Sequence, residues 1–376
     1  MSEWRIPFNR ASLTGDELGY LRDAIDHGHI AGDGPYTRRC EEVLEHELGA
    51  ARVLLTTSCT HALEAAAILL DLQPGDEVIV PSFTFVSSAA AFAMRGATIA
   101  FADVRADTLN IDEAQVGRLV TERTRAIVPV HYAGVGCELD ALSSHGLPLV
   151  EDNAQGLFGR YRGRALGTFG VLAAQSFHET KNLTCGEGGA LVVNDAALVE
   201  RAEVVREKGT NRKRFFRGQV DKYTWVDLGS SYVLTDLLAG FLAAQLEQRS
   251  RIQAARRAIW ERYDEGLRDW AAQHGVSTPF VPDHCEQSWH MYYVLLPSID
   301  ARTALIARLR ERGILAVFHY QPLHLSEMGR RFGGHPGQCP ITENVADRLL
   351  RLPFFTSLTE PEQAEVIEVV TSFDGL

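Results

Sequence analysis

The sequence lacks the features that mark a secreted, membrane-bound or nucleic-acid-binding protein. Six cysteines among 376 residues show no CxxC pair and no zinc-ligand spacing, which favours reduced thiols in a cytoplasm and predicts no metal site. Basic residues are outnumbered by acidic ones, 37 to 49, which argues against a general nucleic-acid or membrane-surface binder. The first ten residues hold no apolar signal core, and no apolar run reaches membrane-spanning length. We therefore expect a soluble cytoplasmic protein that holds any anionic ligand with a local basic cluster.

What is present is the pattern of an ordinary globular α/β protein. The chain is 45% hydrophobic and 23% charged, and its length allows two domains. Between residues 50 and 195, short apolar runs alternate with amphipathic stretches, which predicts a mainly parallel sheet with ligands at the carboxyl ends of its strands. The predicted strands are residues 52–55, 77–80, 98–104, 126–130, 147–150, 171–177 and 190–193, with helices that include 60–70, 112–120 and 198–207.

The second half of the chain differs from the first in composition and in its pattern of predicted elements. Residues 208–231 are polar, basic and aromatic and are predicted to form a long functional loop, and residues 236–270 are predicted to form a helix. We predict a large domain, residues 1–250 with an N-terminal arm, and a small C-terminal α/β domain, residues 251–376. The elements predicted in the small domain are a strand at 291–296, a helix at 301–312, a strand at 314–319 and a helix from Glu360.

Two polar stretches follow predicted strands and open helices. In TTSCTHALEAA, residues 56–66, the free N–H groups and the dipole of the helix start would hold a phosphate, although serine and threonine there usually serve only as caps. In PSFTFVSSAA, residues 81–90, Phe85 would stack on a flat ring at the sheet edge, or it packs in the core. Neither stretch alone identifies a ligand.

Two charged positions end further strands. LPLVEDNAQG, residues 147–156, ends an apolar strand in Glu151 and Asp152, and such a carboxylate is either solvated in a turn or stabilises a bound cation. SFHETKNLTCGEGG, residues 176–189, places Lys181 between a strand and a glycine cluster. A partly desolvated lysine there acts as a nucleophile or forms a Schiff base, although most lysines are solvated surface residues.

The four features together match the parts of one ligand. The first turn would hold a phosphate, Phe85 a flat ring, Asp152 a pyridine nitrogen and Lys181 an aldehyde. That ligand is pyridoxal 5′-phosphate, whose chemistry requires a lysine and an acidic partner for the ring nitrogen. The joint pattern predicts this cofactor although no single member does.

Motifs along nearly the whole chain resemble the DegT/DnrJ/EryC1/StrS family of sugar-nucleotide aminotransferases, which implies the pyridoxal-phosphate-dependent transferase fold type I. Within the family, residues 206–232 most resemble members that make dTDP-4-amino-4,6-dideoxygalactose for enterobacterial common antigen. The matching motifs are GDGP at 32–35, SCTHAL at 58–63, PSFTFVS at 81–87, VPVHYAG at 128–134, VEDNAQ at 150–155, SFHETKN at 176–182, GEGG at 186–189 and HYQPLH at 319–324.

The resemblance implies roles for the site residues. Lys181 would form the Schiff base with the cofactor's aldehyde, and Asp152 would pair with the protonated pyridine nitrogen; these two are the implied catalytic residues. The chain departs from the family at Val233, where many relatives have an asparagine that reaches the partner subunit's phosphate, and Ser230 or Ser231 would replace it. The other implied cofactor contacts are Gln155 at the phenolic oxygen, Phe85 on the ring, and Ser58, Cys59, Thr60 and Ser176 at the phosphate.

The implied reaction moves an amino group from L-glutamate to C4 of a dTDP-linked 4-keto-6-deoxyglucose, in a homodimer with shared active sites. The alternatives are an aminotransferase for another nucleotide keto-sugar (a 3-keto sugar, or a gluco-configured product) and a non-catalytic regulatory protein. A dehydratase of the same fold would have histidine in place of Lys181, and a cysteine desulfurase would need a mobile catalytic cysteine. The implied substrate contacts are Arg212, Arg217, Lys222, Tyr223, His319 and Tyr320.

Overall fold

The computed structural model describes residues 4–13 and 15–375, which form a mixed α/β fold. The strands are β1 (Arg52–Thr56), β2 (Glu77–Pro81), β3 (Thr98–Ala102), β4 (Thr124–Ile127), β5 (Val150–Asp152), β6 (Arg160–Tyr161), β7 (Arg164–Ala165), β8 (Leu172–Ser176), β9 (Gly189–Val193), β10 (Cys285–Glu286), β11 (Tyr293–Leu295) and β12 (Leu349–Arg351). The α-helices are α1 (Glu17–Asp26), α2 (Pro35–Leu48), α3 (Cys59–Leu69), α4 (Ser87–Ala93), α5 (Glu113–Leu119), α6 (Leu139–Ser143), α7 (Val199–Arg206), α8 (Arg212–Phe216), α9 (Asp236–Glu247), α10 (Arg249–His274), α11 (Ile299–Glu311), α12 (Glu327–Arg331), α13 (Pro340–Arg348) and α14 (Glu360–Thr371).

Seven strands form the central sheet, in the order β3-β2-β4-β5-β8-β9-β1. The junction between β4 and β5 consists of two isolated parallel bridges, Ile127 with Leu149 and Val130 with Asp152. Neighbouring strands are parallel except where β9 pairs with β8 and with β1. The carboxyl ends of the other six strands therefore meet at one edge, where ligands of such sheets bind.

Helices bury both faces of this sheet. On one face, α3 contacts β8 and β9 and shares a hydrophobic core with Val150, Ala174 and Leu191. On the other face, α2 and α9 pack over Ala173 and Val192. Successive residues of a strand point to opposite faces, so a strand covered on both sides is apolar on both faces. β9 is apolar along its whole length, and β8 is apolar from Leu172 to Ala174, before the buried polar residues Gln175 and Ser176 at its carboxyl end.

A second hydrophobic core lies in the C-terminal part of the chain. It is built by α10, α11 and α14 around the antiparallel pair of β11 and β12. Ile6 belongs to this core and bridges Ile314, so the N-terminal segment packs with the C-terminal core. The predicted domain boundary after residue 250 falls in the first turn of α10 and stays a prediction.

The structure contains most of the predicted elements but corrects three of them. The predicted strand at 314–319 is wrong, because only Ile314 and Val317 form isolated bridges there. The predicted helix at 236–270 is divided into α9 and α10 at Gln248. The predicted loop at 208–231 contains the short helix α8.

The structure also provides information on membrane-spanning helices, metal sites and cysteine thiols, which the composition addressed. No described helix is both long and apolar enough to cross a membrane. No group of three or more histidine, cysteine, aspartate or glutamate side chains within 4–13 and 15–375 is placed to hold a metal ion. All six cysteines carry free thiols.

Candidate active site

Lys181 lies in the turn that joins β8 to β9, at the carboxyl edge of the sheet. Its backbone N–H donates to the carbonyl of His178 (2.9 Å). The side chain is half-buried, and within the described part of the chain no hydrogen bond or ion pair reaches its Nζ. Burial lowers the pKa of Lys181, although Cys59 and Asp152 act in the opposite direction. Such a lysine supplies the neutral amine that a nucleophile needs more readily than a surface lysine does.

Asp152 is the last residue of β5 and is only 6% exposed. Its Oδ2 accepts a hydrogen bond from Ser88 Oγ (2.6 Å), and its Oδ1 accepts one from Ala154 N (3.2 Å). Thr84 Oγ1 lies 2.8 Å from Ser88 Oγ and donates to it, because the hydrogen of Ser88 is used by the carboxylate. The carboxylate is therefore held in one orientation. Ser88 was missed by sequence reasoning, although it lies in the stretch that contains Phe85.

Glu151 points to the other side of β5 and has a structural role. It is fully buried, and its Oε1 accepts hydrogen bonds from the backbone N–H groups of Phe169 (2.6 Å) and Gly170 (2.7 Å). His131 Nε2 lies 2.9 Å from its Oε2. Strand alternation thus assigns Glu151 to anchoring a loop and leaves Asp152 at the ligand edge.

The start of α3 presents unpaired backbone N–H groups. Ser58 caps this helix, and its Oγ accepts a hydrogen bond from His61 N (3.1 Å). The N–H groups of Cys59 and Thr60 donate to no acceptor within the described residues. Free N–H groups at a helix start, together with the helix dipole, favour a bound phosphate.

Gly189 lets the sheet approach this helix start closely. A Cβ at residue 189 would lie 2.4 Å from Cys59 N and 2.4 Å from the carbonyl carbon of Ser58. Gly189 also pairs with Ser176 of β8. Ser176 therefore lies beside Gly189, the residue of β9 that contacts the start of α3. This position is compatible with the predicted role of Ser176 at the phosphate.

Gln155, His319 and Tyr320 form a polar and aromatic wall. Gln155 Oε1 accepts a hydrogen bond from Ala133 N (2.7 Å), and its Nε2 donates to the Tyr320 hydroxyl (3.0 Å). The rings of His319 and Tyr320 are stacked, with centroids 3.5 Å apart, and His319 Nδ1 lies 2.7 Å from the Tyr132 hydroxyl. The structure thus brings two predicted residues of the C-terminal part to Gln155.

Phe85 lies on the open side of this wall. Its side chain is 57% exposed, and its ring centroid is 6.4 Å from that of Tyr320. The alternative interpretation of Phe85 as a core residue is wrong. Phe83, at 1% exposed, packs in the core instead, so the Phe85 ring remains available to stack on a flat ligand.

The basic, aromatic loop of residues 208–231 is not connected with the lysine turn inside one chain. No hydrogen bond, ion pair or ring contact between described residues joins the two segments. Arg212 and Arg217 lie next to Glu207 and Glu203, at 3.4 and 2.7 Å. Other exposed side chains of the loop include those of Phe216, Lys222, Tyr223, Trp225, Ser230 and Ser231.

Val233 occupies the position where the family resemblance predicted a departure. It forms an isolated antiparallel bridge with Thr56, immediately before the α3 start. A Cβ on Gly32 would lie 2.0 Å from Val233 Cγ1. The Val233 side chain therefore occupies the space that a side chain at residue 32 would need. A role of Ser230 or Ser231 at the phosphate stays a prediction.

Sequence reasoning missed three further side chains near Lys181, namely Asn182, His290 and Arg351. Asn182 Oδ1 lies 2.9 Å from His290 Nδ1, and Asn182 Nδ2 donates to the carbonyl of Ser288 (2.6 Å). Burial lowers the pKa of His290 well below its ordinary value, and the Lys181 charge adds to the effect. Asn182 belongs to the SFHETKN motif, but nothing in the sequence marks the other two, which come from distant C-terminal segments.

The residues at this edge fit a phosphorylated pyridine aldehyde. Two free backbone N–H groups suit its phosphate, the Asp152 carboxylate suits a protonated ring nitrogen, and the exposed Phe85 ring suits a flat face. An amine without a partner is present for the aldehyde. These four features lie at the same edge of the sheet.

Comparison with known proteins supports this assignment. SpsC of Bacillus subtilis, a spore coat polysaccharide biosynthesis protein, is 31% identical, with 97% of this chain and 96% of SpsC covered. The structure of TlmJ from Streptoalloteichus hindustanus, an aminotransferase, matches with a TM-score of 0.88 at 33% identity and covers 99% of this chain and 98% of that chain.

A further solved structure carries the expected cofactor. Spr1654 of Streptococcus pneumoniae, described as a candidate sugar aminotransferase, matches in its PMP form with a TM-score of 0.91 at 26% identity, with 99% of this chain and 100% of that chain covered. Its PLP form matches equally well. The predicted fold type I is confirmed by these likenesses. Residues 11–371 match the DegT/DnrJ/EryC1/StrS aminotransferase family model, and the chain belongs to that family.

Proposed function

We propose that the protein is a cytoplasmic, pyridoxal-phosphate-dependent sugar aminotransferase that moves an amino group from L-glutamate to C4 of dTDP-4-keto-6-deoxy-D-glucose. The products are dTDP-4-amino-4,6-dideoxy-D-galactose and 2-oxoglutarate. The observation that carries the proposal is the unpartnered amine of Lys181 at the same sheet edge as the Asp152 carboxylate and the free N–H groups of α3. The choice of sugar, and a role in enterobacterial common antigen, rest on the resemblance of residues 206–232.

Each residue of the site has a role toward the cofactor. Pyridoxal 5′-phosphate, when bound, supplies an aldehyde carbon that accepts amines and a ring that spreads negative charge. Lys181 would hold the aldehyde carbon, and Asp152 would keep the ring nitrogen protonated. Ser88 Oγ fixes the Oδ2 of Asp152 by donating a hydrogen bond to it. The remaining contacts are Gln155 at the phenolic oxygen, Phe85 on the ring, and Ser58, Cys59, Thr60 and Ser176 at the phosphate.

Lys181 also moves protons. When the amino donor has displaced it, its amine takes a proton from the α-carbon of the donor, and in the second half of the reaction it delivers one to C4 of the sugar. Burial lowers the pKa of Lys181, which keeps more of the amine neutral and able to act as a base. The Asp152 carboxylate would keep the ring nitrogen of a bound cofactor protonated, and a protonated ring accepts negative charge more readily.

Gly189→Ala is expected to weaken cofactor binding and lower the melting temperature. The added methyl group must displace the backbone at Ser58 and Cys59, and overpacking of this kind costs about 1–3 kcal/mol. Equilibrium dialysis of pyridoxal phosphate and thermal unfolding measure the two effects. Gly117→Ala is the control, because its nearest contact is a side-chain atom, in the ring of His145 at 3.2 Å, and not the backbone. Unchanged cofactor affinity in Gly189→Ala would place the phosphate elsewhere.

The substrate's diphosphate needs positive charge, which an acidic chain must supply locally. Because no hydrogen bond, ion pair or ring contact between described residues joins the basic loop to the lysine turn of its own chain, we assign the loop to the active site of a second subunit in a homodimer. Phe216 and Trp225 are 68% and 74% exposed, and such an apolar patch is typical of a protein interface. The proposed substrate contacts are Arg212, Arg217, Lys222 and Tyr223 of one subunit and His319 and Tyr320 of the other.

The rival functions fit the site less well. A desulfurase needs a reactive thiolate, but burial raises the pKa of Cys59, the cysteine next to Lys181, well above its ordinary value. A dehydratase of the same fold lacks the lysine that is present here. A non-catalytic binding protein would have no use for an unpaired, half-buried amine next to a fixed carboxylate.

A substrate panel tests the proposal. The protein loaded with pyridoxal phosphate is incubated with L-glutamate and a set of nucleotide 4-keto and 3-keto sugars, and 2-oxoglutarate is measured. We expect turnover with dTDP-4-keto-6-deoxy-D-glucose, at a higher kcat/KM than with any other member of the panel. Preferred turnover of a 3-keto sugar would contradict the assigned substrate, and no turnover with any sugar would contradict the function.

The configuration of the product is a separate prediction. Lys181 delivers its proton to one face of C4, so the orientation of the bound sugar decides the stereochemistry. The resemblance of residues 206–232, which are assigned to the diphosphate, predicts the galacto product with an axial amine. In the NMR spectrum of the isolated product we expect a small coupling between H3 and H4. A large diaxial coupling would show that the sugar binds in the reverse orientation.

A further inference from the structure

Arg351, the last residue of β12, has a guanidinium group that the protein leaves largely unsatisfied. One of its nitrogens, Nη2, donates to the carbonyl of Phe318 at 3.3 Å. Its Nε is buried and has no hydrogen-bond partner. The group stacks on the Phe8 ring, 4.6 Å from the centroid, and no carboxylate within the described residues pairs with it. An arginine in this state is ready for an anion that the chain itself does not supply.

Arg256, a buried arginine, shows how the chain satisfies a structural guanidinium. It is 2% exposed, and no carboxylate of the described residues pairs with it. It donates to the carbonyls of Trp289 (3.0 Å) and His290 (2.5 Å). Arg351 lacks such an arrangement, so packing alone does not explain it.

Arg351 belongs to the cleft that contains Lys181. Strand pairing joins Arg351 to Val317, immediately before the wall formed by His319 and Tyr320. Among the described residues, the titratable groups that interact electrostatically with it are Lys181, His290, His319, Tyr132 and Tyr320, which are basic or phenolic. Burial is the main cause that lowers the pKa of His319, and the charge of Arg351 lowers it further. The pKa of Lys181 is also lowered mainly by burial and, to a smaller extent, by the charge of Arg351.

The N-terminal segment closes the opposite side of this position. Phe8, which stacks on Arg351, accepts a backbone hydrogen bond from Phe354 N (3.1 Å). The next residue, Asn9, donates from Nδ2 to the carbonyl of Glu179 (3.1 Å), in the turn that carries Lys181. The guanidinium is therefore held between β12 and the lysine turn.

We propose that Arg351 binds the α-carboxylate of the amino donor. This inference rests on the proposed function, because an amino acid must present its α-carbon to Lys181 and its α-carboxylate is attached to that carbon. A guanidinium matches a carboxylate with two parallel hydrogen bonds. The diphosphate of the nucleotide sugar is a less suitable partner, since it is attached at C1, across the sugar ring from the C4 that reacts.

The test separates the two half-reactions of the holoenzyme by rapid mixing. In Arg351→Gln we expect the apparent Kd for L-glutamate to rise about 100-fold, while the pyridoxamine form reacts with the keto-sugar within about threefold of the wild-type rate. Arg351→Lys keeps the charge but loses the planar fork, so an intermediate effect is expected. Arg348→Gln is the control, because that guanidinium pairs with Leu296 O and Asn344 Oδ1 outside the cleft.

Two further measurements do not depend on turnover, and part of the second uses only the wild-type protein. Calorimetry of glutarate, a non-reactive dicarboxylate, should show weaker binding to Arg351→Gln. The wild-type protein should bind the α-amide of glutamate about 100-fold more weakly than L-glutamate. In Arg351→Gln the two ligands should bind within about threefold of each other.

Several outcomes overturn the inference. It fails if wild type binds the amide and the acid equally, if Arg351→Gln keeps its affinity for L-glutamate, or if both half-reactions slow by the same factor. In each case a wild-type protein that reacts with donor and keto-sugar leaves the proposed function intact. A wild-type protein that reacts with neither shows instead that the function is wrong, and the inference fails with it.

Discussion

Lys181→Ala should reduce kcat by on the order of 10⁴-fold or more, because the chain loses both the amine that holds the aldehyde and the base that moves the proton. Non-covalent cofactor binding should persist, since the α3 start and Asp152 are unchanged. Steady-state turnover and the absorbance of the bound cofactor measure the two effects.

Lys181→Arg is the matched variant for this experiment. It keeps a positive charge near Asp152, but its guanidinium stays protonated at all relevant pH values. We expect it to be as inactive as Lys181→Ala, which separates the role of the amine from the role of the charge. Turnover within about tenfold of wild type in either variant would remove Lys181 from the mechanism.

Asp152→Asn should lower kcat by about 10³-fold, which corresponds to roughly 4 kcal/mol. The side chain keeps its shape, and Ser88 can still donate to its oxygen, but the charge that keeps the ring nitrogen protonated is lost. Cofactor affinity should fall only modestly. A kcat within roughly tenfold of wild type, about 1.4 kcal/mol, would show that the ring nitrogen does not depend on this carboxylate.

Glu151→Gln is the control for Asp152→Asn. Glu151 accepts hydrogen bonds from the backbone at Phe169 and Gly170, and hydrogen bonds to a charged group contribute about 1.5–3 kcal/mol each. This variant should therefore lower the melting temperature more than it lowers the kcat of the folded protein. The two neighbouring acids would then differ in their roles: Asp152→Asn would mainly lower kcat, and Glu151→Gln would mainly lower the melting temperature.

The main parts of the site could be predicted because they follow the ends of strands. Parallel strands bring their carboxyl ends to one edge, so Asp152 at the end of β5 and Lys181 after β8 had to approach each other. Ser58 follows β1, which pairs with β9 and has its carboxyl end at the same edge of the sheet. Local pattern and topology are sufficient for these residues, and their positions in the structure agree with both.

Side chains supplied by distant segments could not be predicted in this way. Ser88 is fixed against Asp152 by the packing of α4, and Arg351 reaches the cleft from the C-terminal core. The wrong strand at 314–319 has the same cause: its apolar pattern favours an extended chain, but pattern does not provide a partner strand, and only Ile6 and Arg351 pair there. The break between α9 and α10 at Gln248 has no proline or glycine to mark it.

The role of Lys181 as the attachment point of the cofactor is tested by locating the covalent bond between protein and cofactor. The protein loaded with pyridoxal phosphate is reduced with borohydride and digested, and the labelled peptide is identified by mass spectrometry. We expect one label per chain, on Lys181 in the stretch SFHETKN, and no label in Lys181→Ala. A label on another lysine, or none on the loaded wild-type protein, would contradict this role.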